Sequence, residues 1–177
     1  MSGLLSFLLE ILKLTIPGLI VFFTAYRLIK SFLDKQLQLK QVELSQQVRK
    51  TTLPLKLQAY ERLALLMERI SLPNLVLRIR VEGTHAAALR VALLMAIQQE
   101  FEHNVSQQIY VSDNLWHIVK LARQEVEQII NGVAEQVDPK ADSKVLADAL
   151  ILFFEKQEEP ATTKAVQAIR KEAALYL

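Results

Sequence analysis

Two side chains in this chain stand at a spacing that metal chemistry uses. Glu100 and His103 form a Glu-x-x-His pair, which on a helix puts a carboxylate and an imidazole on one face. Di-iron and di-manganese bundles are built from two such pairs plus two further glutamates. The other histidines are His85, which follows Glu82 at the same spacing, and His117, which has no glutamate three residues before it. Glu100, His103 and His117 are the candidate ligands of an alternative reading, a small metal- or ligand-binding helical bundle. The leading reading of the same stretch is non-catalytic. Glu100, His103, Asn104 and Gln107 share one helix face, and with Trp116 they are the candidate contact surface for another protein. No cofactor is expected.

Other chemistries find less support. The chain has no cysteine, which excludes disulfides, thiolate zinc sites and cysteine nucleophiles. Four glycines leave little room for a phosphate-cradling loop, and no nucleophile elbow arranges Ser, His and Asp. Asn104-Val105-Ser106 matches a glycosylation sequon, which is irrelevant in a cytoplasmic domain. Neither an enzyme nor a small-molecule substrate is indicated.

The elements that would position these residues read as helices throughout. Hydrophobic content is 51%, aromatics 7%, and mean hydropathy +0.20. Leu, Ala, Gln, Glu and Lys dominate, a helix-forming mixture. Much of the apolar excess lies between Leu4 and Tyr26, where only Glu10 and Lys13 are charged and Pro17-Gly18 sits near the middle. As a helix this run of roughly 23 residues is about 34 Å long, enough for a hydrocarbon core of about 30 Å. A cleaved signal peptide would need a basic start and a small-x-small site, and neither is present. A soluble or peripheral bundle, with this helix packed on its own core, is the other alternative.

Positive charge is concentrated just after the run. Arg27, Lys30, Lys35, Lys40, Arg49, Lys50 and Lys56 face only Asp34 and Glu43 across residues 27–56. With Arg27, Lys30, Lys35 and Lys40 as the membrane flank, the positive-inside rule puts the C-terminal domain in the cytoplasm. The stretch has Phe32 as its one interleaved aromatic, so an anionic bilayer surface explains it better than nucleic acid.

The expected architecture is all-α: a transmembrane helix over 1–28, a helical stalk over 29–52, and a four- to five-helix bundle over 53–177. In the stalk, Leu28, Phe32, Leu39 and Val42 fall near heptad spacing, as do Leu33, Leu37 and Leu44. Thr51-Thr52-Leu53-Pro54 reads as a break and restart. Leu55, Ala59, Leu63, Leu66 and Ile70 then form a buried stripe, ended by Ser71 and Pro73. Residues 74–81 read as a short helix or connector. Gly83-Thr84 caps a helix to about 109, apolar nearly all round from Ala86 to Ile97 and so central. Ser112-Asp113 caps the next, with Leu115, Val119, Ala122, Val126, Ile129, Val133 and Val137 inward and Asp138-Pro139 as its stop. Asp142-Ser143 opens a shorter helix, and Pro160 opens the last, with Val166, Ile169, Ala173 and Tyr176 inward.

The segments Ala59 to Arg78 (AYERLALLMERISLPNLVLR) and Glu100 to Trp116 (EFEHNVSQQIYVSDNLW) resemble an uncharacterised family of bacterial proteins, mostly from Bacteroidota. The resemblance covers most of the chain and implies an N-terminal membrane helix followed by a helical cytoplasmic domain. It carries no catalytic residue. The expected protein is a membrane-anchored interaction or scaffold protein of the bacterial inner membrane. Its partners would be the lipid bilayer and protein, either copies of itself or a larger membrane complex.

Overall fold

The computed structural model describes residues 2–80 and 83–177. Six α-helices account for most of them: α1 (Ser2–Ile70), α2 (Leu72–Ile79), α3 (Ala86–Asn104), α4 (Asp113–Ala134), α5 (Ser143–Glu155) and α6 (Ala161–Ala173). A short 3-10 helix, Val105–Ile109, continues α3. Among the described residues there is no strand, and one isolated bridge joins His85 to Asp142. The protein is all-α.

The chain divides into two compact units, Met1–Thr51 and Thr52–Leu177. In the first, helix is continuous and every described side chain is exposed. Its apolar window has a mean hydropathy of 1.9 and none of it is buried, so α1 is long and apolar enough to cross a membrane. Thr15 and Thr24 turn their hydroxyls back onto the carbonyls of Ile11 and Ile20, at 2.9 and 2.7 Å. Such back-bonding removes a side-chain donor from an apolar surround.

The break expected at Thr51–Pro54 does not occur, because α1 runs through Pro54 as it does through Pro17. A proline removes one ladder bond and crowds the preceding turn, which bends a helix without ending it when the flanks hold. Here Thr51 Oγ1 donates to Gln47 O at 3.1 Å, an additional tie in the turn before the proline.

The second unit has one core. Leu63, Leu66, Met67 and Ile70 of α1 join Leu75 of α2, Leu93 and Ile97 of α3, Leu115 and Ile130 of α4, and Leu146 and Leu150 of α5. The stripe on α1 begins at Ala59, since Leu55 remains 42% exposed. Residues 72–79 are helical because Leu72, Leu75, Val76 and Ile79 recur at three and four, and Pro73 suits a first turn. On α3 the expected central burial is only half realised. It packs against α2, α4 and α5, and Val91 and Met95 stay 55% and 58% exposed. With no further layer on that side, an apolar surface alone does not make a helix central. α4, with its single clean stripe, packs against α3, α5 and α6.

Helix ends are closed in different ways. Ser112 Oγ accepts from Leu115 N–H at 3.1 Å, and Asp142 accepts from Lys144 N–H at 2.8 Å, as the capping pattern requires. The N-cap of α3 is His85 rather than Gly83-Thr84, and it offers no side-chain acceptor. Instead Ala86 and Ala87 donate their N–H groups to the carbonyls of Ala141 and Pro139, at 2.8 and 3.1 Å. The loop before α5 thus serves as the cap of α3. Gly83 sits at φ +76°, in the left-handed region open to a residue without Cβ. α4 stops at Ala134, a turn before Asp138-Pro139, as its last carbonyls tighten to three-residue bonds from Gln136 and Val137. At the C-terminus Tyr176 is 41% exposed and does not join the core.

Leu93→Ala should destabilise the second unit by about 2–5 kcal/mol, because the fully buried side chain leaves a cavity. Leu77→Ala, at a position 76% exposed, should stay within about 0.5 kcal/mol of the parent. Chemical denaturation of both variants in mild detergent checks the pair.

Candidate functional site

The stretch 98–116 does not present one polar face, because α3 ends inside it. Asn104 closes the helix and the tighter 3-10 turns follow, which re-aims Gln107. Asn104 and Gln107 are both buried. Asn104 Nδ2 donates back to Glu100 O at 2.8 Å, and Gln107 Nε2 to Ser106 Oγ at 3.2 Å. Trp116 is buried as well, its ring stacked on Phe101 with centroids 5.4 Å apart. Of the five candidate contact residues, His103 alone is exposed.

Glu100 is engaged by two guanidinium groups. Arg78 Nη1 lies 2.7 Å from one carboxylate oxygen, and Arg69 Nη1 3.1 Å from the other. The glutamate side chain is only 14% exposed, so the pairing joins α1, α2 and α3 at a partly desolvated point. His117 is exposed on α4, and the described residues contain no group of three His, Asp or Glu able to hold a metal. Glu100, His103 and His117 are not brought together. Arg123 of α4 reaches back over the Phe101 ring at 4.4 Å and donates to Gln98 and to Glu127, which fixes α3 against α4.

A second cluster was invisible in the sequence. Glu172 of α6 accepts from Tyr60 Oη at 3.0 Å and from Ser112 N–H at 2.9 Å on the same oxygen. Its other oxygen accepts from Ser112 Oγ. One carboxylate therefore fastens α1 and the start of α4 to α6. Tyr176 stacks on Tyr60 at 6.2 Å, and Lys56 Nζ lies 4.3 Å from the Tyr176 ring centre and 3.1 Å from its hydroxyl. A groove of about 470 Å³ opens beside the cluster, walled by Ile109, Tyr110, Val111 and Leu175. Tyr60 and Glu172 are 112 residues apart, and each by itself is an ordinary helix residue. Only the Ser112 cap was legible, as part of a helix-start pattern.

The chemistry of this cluster is that of a clasp. Burial, then the hydrogen bond to Glu172 and its charge, then Tyr176, push the Tyr60 phenol well above its ordinary value of 10.0. The phenol keeps its proton and donates it to the carboxylate. Arg27, Lys30, Lys35 and Lys40 lie in the first unit, all exposed.

A raised phenol value makes the native state hold its proton more tightly than the unfolded chain does. Its stabilising effect is complete below about pH 10 and is lost as pH rises beyond that, where the unfolded phenol ionises. Tyr60→Phe should therefore flatten the alkaline fall in thermal midpoint above about pH 10. At neutral pH the variant should be about 1.5 kcal/mol less stable, the low end for a bond to a charged group, since Ser112 still serves Glu172. Scans of both proteins across that range decide it.

No curated protein and no solved structure matches the chain. A family match does extend over residues 6–176, taking in the apolar helix, the basic stretch and the whole bundle. The chain thus belongs to the Family of unknown function (DUF7935).

Proposed function

We propose that this is a single-pass protein of a bacterial inner membrane, of Bacteroidota origin by its resemblance, with the helical domain in the cytoplasm. In this reading it binds other protein and carries out no reaction of its own. The observation that carries the proposal is the apolar window of mean hydropathy 1.9 with no part buried. In water an exposed apolar surface of that extent is untenable, whereas in hydrocarbon it is the favoured state.

The flanking charges support the orientation. Arg27, Lys30, Lys35 and Lys40 follow the run on its C-terminal side, and cationic side chains are retained on the cytoplasmic face. The same residues would sit within reach of anionic headgroups, each worth about 1 kcal/mol near the surface. In the domain, Gln98, Glu100 and the Glu172 clasp are occupied with holding helices together. That arrangement suits a rigid binding module better than a reaction centre.

A second reading has its own observation. Glu10 and Lys13 stand exposed within the apolar run, one helical turn apart. Charges inside a membrane segment face a partner or a polar cavity as a rule, so an accessory subunit among other membrane helices would also satisfy them.

Membranes washed in alkaline carbonate should retain the protein, and its release would end the proposal. The natural chain lacks cysteine, so Glu158→Cys gives a single thiol on an exposed stretch of the domain. An impermeant maleimide should label it only after the inner membrane is opened; labelling of intact spheroplasts would place the domain outside. Detergent extraction should then yield a particle containing more than one chain, whether copies or other subunits.

A further inference from the structure

The polar residues of the apolar run are not scattered round its helix. Ser6, Glu10, Lys13 and Thr24 lie on one row of alternating four- and three-residue steps, which Pro17 and Ile20 complete. At about 100° per residue the four polar residues fall within roughly 60° of one another. Thr15 sits on the opposite side, among large apolar residues such as Phe7, Leu8, Ile11, Leu19 and Phe22. The row is exposed throughout. Ser6 and Thr24 donate their hydroxyls to carbonyls of their own helix, Gly3 O at 3.0 Å and Ile20 O at 2.7 Å. Glu10 and Lys13 have no such outlet, and neither is paired among the described residues. Lys13 lies nine residues into the run, about 14 Å from its start, too deep for its stem to carry the ammonium to water.

We infer that this row is the face on which two copies of the chain pack side by side in the membrane, with Glu10 of each answered by Lys13 of the other. This rests on the membrane-anchored reading, which inserts every copy in one orientation with Glu10 and Lys13 at one depth. Charge complementarity selects the occupant. A helix covering the row must bring a cation to Glu10 and an anion to Lys13 one turn away, because charges in hydrocarbon are held by partners. Lipid tails offer neither. The same face of a second copy offers both, and two-fold symmetry makes the match twice. Side-chain direction agrees with a parallel pair. Helical side chains lean toward the N-terminus, so Lys13 of one copy reaches back to the level of its neighbour's Glu10. Alternating steps of three and four are also the spacing at which parallel helices stay in contact. Away from the charged turn the row carries small side chains, Ser6 and Thr24, which let backbones approach closely. Thr24 and Ser31, with Phe23, Arg27 and Leu28, line a recess of about 460 Å³ at the cytoplasmic end of the row in that reading.

The test uses full-length protein in its own membranes, with Thr24→Cys on the row and Phe22→Cys on the opposite side, each the single thiol of a chain without cysteine. Mild oxidation should link Thr24→Cys into a two-chain band at least tenfold stronger than that from Phe22→Cys. Glu10→Lys and Lys13→Glu, each added to Thr24→Cys, set like charges against one another and should cut that band at least fivefold. The two variants expressed together, with tags of different size, should restore it as a mixed pair, since one then supplies the cations and the other the anions. An absent band, equal bands from both thiols, indifference to the charge changes, failure of the mixed pair, or linkage to a different protein would each overturn the inference. Carbonate resistance of the same membranes reports the anchor independently. No band with the anchor retained removes this inference alone, whereas release by carbonate removes the reading beneath it.

Discussion

A core of apolar side chains reaching from Leu63 to Ile169 closes over itself, while the described apolar side chains from Phe7 to Leu44 are exposed. The rest of the protein follows from that division of burial. A helix is a poor structure in water unless something packs on its apolar face, because nucleation is unfavourable and propensity contributes little per residue. The second unit meets the demand internally, with six helical segments around one core. The first unit meets it nowhere among its described residues, which makes its surroundings part of its structure.

Within the bundle, polar side chains gather where segments begin and end. Glu172 holds Tyr60 and Ser112, Glu100 holds Arg69 and Arg78, and the loop at Pro139–Ala141 caps α3. These contacts join elements that the hydrophobic core alone would leave free to slide. Desolvated hydrogen bonds to charge are directional, and a core of leucine and alanine is not. The same residues that look reactive in a linear reading thereby become the fixings of the fold.

The period of apolar residues was the most reliable guide. Leu115, Val119, Ala122, Val126 and Val133 all proved buried, and Ala59, Leu63, Leu66 and Ile70 likewise. Caps were legible where a side chain made them, as at Ser112 and Asp142, and illegible at α3, where backbone carbonyls of a distant loop do the work. The break read at Thr51–Pro54 was absent, since one missing ladder bond does not end a helix. Of the residues read as a surface at 98–116, Asn104, Gln107 and Trp116 are buried and His103 is exposed, and α3 gives way to tighter turns at Asn104.

Taken alone, the sequence determined the all-α class, the extent of the apolar run, the basic flank and the faces of most bundle helices. Each of these is a local quantity, fixed by composition or by spacing within a few turns. The tertiary structure decided which polar residues meet: Glu172 with Tyr60 and Ser112, Glu100 with two arginines, Trp116 with Phe101. Such meetings depend on how helices far apart in the chain are set against each other. That arrangement minimises exposed area over the whole core at once, and no local spacing records it.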